Sequence, residues 1–458
     1  MKKLFVLLLT AALFTSTLSA AGDTAPPISH VERILVAKIN GVAGFSETIP
    51  LPGDRNLVTW SEERANGVFW LKTRLLDSKN RFSKVITLNK AAAHSPFYND
   101  TAPRVVANKK GQLFAAWIKR TVKGTVTTDQ ILGRTSKNGT TWSKEFAVTK
   151  PLRVTGRNCE DFSTANCGYS DFKIAIDDSG RLAIMVGSSS ALRKIDFRVA
   201  ATKNSAKWPN LRFLGTVRDQ RESEIVGLAA GFAVSYMDYT GESCASRVAL
   251  FNPKTSKWTN TLTAQNITIN TVVYSRWIQR DANTLSIVFN SEIERGGIGI
   301  RNYNLKTNKW SGSVRTLVPS EEKVVFQRFE VAARGAAVMI AYTTYNQDSG
   351  VTQNRMVLLR SKTASAQTLP LDPSPDGAFP KLAGFRSSGI GVAVFYEYGN
   401  PTSLAQFTPA AAPMFIPGSS DNPFFPDISI GAKDMLYALE LHGPENDLSL
   451  TLVKGKLN

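Results

Sequence analysis

Eight ionisable residues stand at comparable places along this chain: Arg55, Arg104, Asp171, Glu224, Arg276, Arg328, Lys381 and Asp427. Each lies at or next to the start of a short apolar stretch, as in RNLVTW, PRVVA, SEIVG and SRWI, and they recur at intervals of roughly fifty residues. Five are cations and three are carboxylates. A guanidinium grips a carboxylate or sulfate through two parallel hydrogen bonds. It cannot shed its charge by losing a proton. If the fold brings the eight positions together, they form a charged ring suited to an anionic ligand. All eight are therefore candidate ligand-binding residues. No subset identifies itself as catalytic.

Other chemistries have less support. His30, His94 and His442 are scattered and form no triad or metal-ligand spacing, so neither a metal nor another cofactor is expected. No Gly-rich loop follows a strand and opens a helix to cradle phosphate. Cys159 and Cys167 bracket the short segment CEDFSTANC. In an oxidising compartment this pair is expected to form a disulfide, which leaves Cys244 over.

The compartment is read from the start of the chain. Lys2 and Lys3 precede the apolar run LFVLLLTAALF, and the small residues of STLSAAG follow. Charged start, short apolar run and small exit describe a secretory signal peptide over 1–21. The run is too short for a bilayer, which needs about 20 apolar residues. No later segment reads as transmembrane. Residues 22–458 are then one exported domain, periplasmic or extracellular, expected to be a monomer. Lys and Arg number 55 against 37 Asp and Glu, a formal net charge of +18. Such a surface attracts anions, here an acidic glycan or a protein partner. Without a long Lys/Arg run, nucleic acid is not indicated.

The elements that must position the ring come from a repeat. TSKNGTTW ends at Trp142, KNSAKW at Trp208, FNPKTSKW at Trp258 and YNLKTNKW at Trp310. Each is a polar turn between short strands. Upstream of the turns lie paired strand patterns such as APRVVANKKGQLFAAW and FPKLAGFRSSGIGVAVFY, split by a Gly-, Asp- or Asn-containing hairpin. Eight such pairs are read. Four strands in about fifty residues is the size of a β-propeller blade. The expectation is an all-β, single β-propeller of eight four-stranded blades, with seven as the alternative. HVERILVAK near the start is expected to join DISI, MLYALEL and LSLTLVKG as the outer strand that closes the ring.

TSKNGTTW resembles the Asp-box, or BNR repeat, of the sialidase-like propellers, Ser-x-Asp-x-Gly-x-Thr-Trp. Thr135, Gly139, Thr141 and Trp142 match, and Lys137 stands in the Asp position. Kelch propellers are the rival, through the Tyr and Trp of YNLKTNKW. The sialidase-like resemblance implies that the box is a structural turn between third and fourth strands, away from the functional face. It also implies an arginine grip on a carboxylate, for which Arg104, Arg276 and Arg328 are the candidates. The Arg-Ile-Pro motif and ring tyrosine that accompany sialidase catalysis are missing from this sequence. The leading expectation is therefore a binding scaffold. A diverged glycoside hydrolase and a structural envelope component are the alternatives.

Overall fold

Strands with unbroken apolar runs dictate the architecture. Leu113–Lys123 buries its first six residues, and Thr284–Asn290 is buried throughout. A strand buried on both faces needs a layer on either side. In the computed structural model each sheet is covered by two neighbours. The structure describes residues 28–457 apart from connecting stretches, the longest being 90–102, 155–167, 407–413 and 416–426. The proposed signal peptide, Cys159 and Cys167 lie outside the described residues.

The described strands hydrogen-bond into eight antiparallel sheets of four or five strands. Eight apolar clusters fill the spaces between successive sheets. One joins Phe197 and Val199 of the third sheet to Phe232 and Phe251 of the fourth. Another joins Leu439 and Leu452 of the last sheet to Val58 and Trp60 of the first. Sheet therefore packs on sheet around a closed single β-propeller. Ile28–Ile39 pairs with Leu448–Leu457 and completes the sheet that begins at Ile428–Ile430. The chain thus closes its own ring, as the HVERILVAK pattern predicts.

One part of the sequence reading is corrected. RNLVTW lies in the second strand of its sheet, Arg55–Arg64, and the innermost strand is Ala43–Leu51. Proline argues against a strand interior, and Pro50 and Pro52 hide this one. Pro50 is tolerated because the innermost strand is an edge of its sheet. The sheets approach one another most closely near this axis. A methyl group on Gly227 would overlap the Ile176 carbonyl of the preceding sheet, so only glycine fits there.

Strand direction alternates outward from the axis. The starts of the innermost strands therefore lie on one face. The first-to-second and third-to-fourth turns lie on the other. TSKNGTTW is such a turn, following the third strand Val126–Ser136. Its Asp position needs no carboxylate, because Asn138 supplies the acceptor. Asn138 Oδ1 accepts from Thr140 N and Thr141 N at 3.0 and 2.8 Å. Ser136 Oγ accepts from Gly139 N at 2.9 Å. Gly139 takes φ +80°, which favours glycine. The tryptophans of the related turns pack. Trp258 is buried with its ring 5.3 Å from Phe251. Trp310 stacks on Trp277 at 6.4 Å and meets Tyr303 edge-on at 5.1 Å.

Candidate functional site: a charged ring at the openings of the innermost strands

Measured along the second strands, the innermost strands share one register. Arg104 lies opposite Ala116, Glu224 opposite Ser235 and Arg276 opposite Val288. Asp427 falls at the same level, its carbonyl accepting from Leu439 N at 2.8 Å. Four of the eight expected residues are thus brought to one ring. The other positions at that level are Glu47 opposite Thr59, Lys173 opposite Met185, Glu330 opposite Ala341 and Leu382 opposite Val394.

The remaining expected residues sit elsewhere. Arg55 is at the far end of the first sheet, opening its second strand, where its Nε donates to the Pro52 carbonyl at 2.9 Å. It does not belong to the ring. Asp171 lies in Tyr169–Ile176 opposite Gly187, two residues ahead of Lys173. Arg328 lies in Val324–Arg334, two residues ahead of Glu330. Lys381 precedes Leu382 where the register of Phe379–Phe385 slips. The side chains of these three are outside the described residues. Glu47, Lys173 and Glu330 are the positions the sequence reading missed. A fixed count back from the buried second-strand residues would have found them. The first ionisable residue of each unit was a poorer guide, because bulges shift it.

The ring carboxylates share one structural habit. Asp427 Oδ2 accepts from Thr48 N of the next sheet at 2.6 Å. Glu224 Oε2 accepts from Trp277 N of the next sheet at 2.9 Å. Glu47 accepts in the same manner from the Val105 N–H. In each pair the donor is the residue just after the ring position of the following sheet. These bonds clasp neighbouring sheets at the axis. Between the fifth and sixth sheets the clasp is an ion pair, Arg276 to Glu330 at 3.3 Å.

Glu47 is electrostatically distinct. Its carboxyl tip is buried, with Oε2 sealed from solvent. Burial pushes its pKa up, and the nearby Asp427 charge pushes further. Arg104 and the Val105 N–H oppose them, and the result is about 8. Near pH 7 Glu47 is mostly a neutral acid, beside a second carboxyl group and a guanidinium. Among the described residues, no cluster of three or more His, Cys, Asp or Glu could hold a metal ion.

No protein-family profile and no curated protein matches the chain. The sialidase-like resemblance therefore rests on the turn motif. Among solved structures, the chain is similar to a polysaccharide lyase, the PL25 ulvanlyase bound to -[GlcA(1-4)Rha3S]-. The TM-score is 0.45 at 9% identity, over 92% of this chain and 95% of that one. It is also similar to the β-propeller domain of the Trilobed protease from Pyrococcus furiosus, with a TM-score of 0.42 at 10% identity, over 78% and 95%. The Penicillium chrysogenum alpha-L-arabinanase gives 0.39 at 10%, over 61% and 92%.

Proposed function

We propose that the chain is an exported, eight-bladed recognition propeller that holds an acidic glycan, or an acidic protein segment, at the face where its innermost strands begin. The observation that carries this reading is the clasped ring. Backbone amides of the next sheet stabilise the charges of Glu224 and Asp427, and Glu47 is mostly neutral near pH 7. Arg104 and Lys173 are then the cations proposed to meet an anion, with Arg276 alongside them in its ion pair with Glu330. Arg328 and Lys381 join the proposed site through their places in innermost strands. Rigid placement favours this role, because a site fixed before binding loses less entropy on binding. The test is an array of acidic and neutral oligosaccharides probed with the mature chain. Retention of uronate- or sialic-acid-bearing glycans over neutral ones is expected. Retention of none, or of both alike, would contradict the reading.

The Glu47–Asp427 arrangement supports a second reading, a diverged glycoside hydrolase. A carboxyl group held protonated near neutral pH beside a second carboxyl group is the pattern of a general acid with a partner. In that case Glu47 would protonate a leaving oxygen. Turnover of a fluorogenic sialoside or arabinoside, lost in Glu47→Gln, would favour it over the scaffold.

A further inference from the structure

The turn face, opposite the ring, carries a cavity of about 560 Å³ between the second and third sheets. That is within the usual size of a small-ligand site, roughly 300–1,000 Å³. Two lysines, Lys137 and Lys203, line it, together with Ser205, Trp142 and a floor that includes Leu113 and Leu182.

The two lysines are structurally equivalent. In the second sheet Ser136 Oγ accepts from Asn138 N at 3.2 Å, and Asn138 Oδ1 accepts from Thr140 N at 3.0 Å. In the third, Thr202 Oγ1 accepts from Asn204 N at 3.0 Å, and Asn204 Oδ1 accepts from Ala206 N at 3.0 Å. Each lysine sits between the two acceptors, so the turn makes no use of its side chain. Both lysines are exposed, and neither has an ion-pair partner among the described residues. The turns of the fourth and fifth sheets differ. There the residue before the capping asparagine is Phe251 or Tyr303, both buried. Paired cations at this position belong to the second and third sheets among these four.

Two exposed ammonium groups on the rim of one cavity give it a positive potential that favours an anion there. Hydroxyls beside them match sugar hydroxyls. Trp142 adds an aromatic wall, and its indole N–H is buried without an acceptor among the described residues. We propose that this cavity is a second binding site, for a sugar unit bearing a sulfate or a carboxylate. The site is independent of the ring and stands or falls separately.

The test is calorimetric titration of the mature chain with a sulfated disaccharide, a uronate disaccharide and a neutral disaccharide. The variants are Lys137→Ser/Lys203→Ser and, as a control for general charge, Lys254→Ser/Lys306→Ser. All four lysines are exposed, so both variants should fold, which their melting curves check. At least one charged disaccharide is expected to bind, and the neutral one is not. Hydrogen bonds to charged groups each contribute more than a tenfold change in affinity, so the cavity pair should weaken binding by at least about ten-fold. The control pair should change it by less than about two-fold. Absence of binding to wild type would overturn the proposal. So would equal losses in both pairs, or full affinity in the cavity variant, which would put the sugar elsewhere.

Discussion

Glu47→Gln is expected to stabilise the protein at alkaline pH and to leave it unchanged in acid. The Glu47 carboxyl is raised to about 8 by burial and by Asp427. A carboxyl whose folded pKa lies above its unfolded value binds its proton more tightly when folded. The stability it contributes is fully present below about pH 4.5. That stability is lost as pH rises through about 8. The shift corresponds to a loss on the order of 3–5 kcal/mol between those limits, an upper bound because part of it comes from the neighbouring Asp427 charge. Gln keeps the shape and can still accept from the Val105 N–H, but it carries no charge. Wild type and variant should melt together at pH 4.5. At pH 9 the variant should melt several degrees higher. Parallel curves across that range would mean that Glu47 is not the buried acid of the ring.

Trp258→Ala should be the most damaging of the turn substitutions. Trp258 lies in the cluster between the third and fourth sheets with Phe251, Phe232 and Val199. Removing a large buried aromatic costs about 3–5 kcal/mol. Its turn lies on the face opposite the ring, so binding at the ring should persist in the protein that remains folded. Denaturant melts alongside affinity measurements check both halves. A large loss of affinity with an unchanged melt would reverse the assignment of faces.

Much of the fold was legible because each unit repeats the same physical problem. Buried second strands need runs dominated by small and apolar residues, and LFAAWI and TLSIVFN supply them. Turns need an asparagine acceptor followed by a packing tryptophan, and TSKNGTTW supplies both. The closing strand was legible because ILVAKI supplies the apolar residues that pair with Leu448–Leu457. The site was only half legible. Arg104, Glu224, Arg276 and Asp427 follow the shared register, whereas a bulge ahead of Asp171 and prolines around the first innermost strand obscured Lys173 and Glu47. No local pattern could reveal the clasps. Glu47 meets Val105, and Asp427 meets Thr48 across 379 residues of sequence, only once the ring closes. Nor did the motif disclose that Lys137 and Lys203 share a cavity, since that depends on which sheets are neighbours.

The most direct test is titration of an acidic oligosaccharide retained on the array into wild type, Arg104→Lys and Arg276→Lys. Lysine keeps the charge but loses the two-pronged guanidinium fork. Each variant should retain its melting temperature to within a few degrees and bind roughly ten- to a hundred-fold more weakly, the scale of one lost charge-assisted hydrogen bond. Unchanged affinity in both variants would contradict a binding site at the ring.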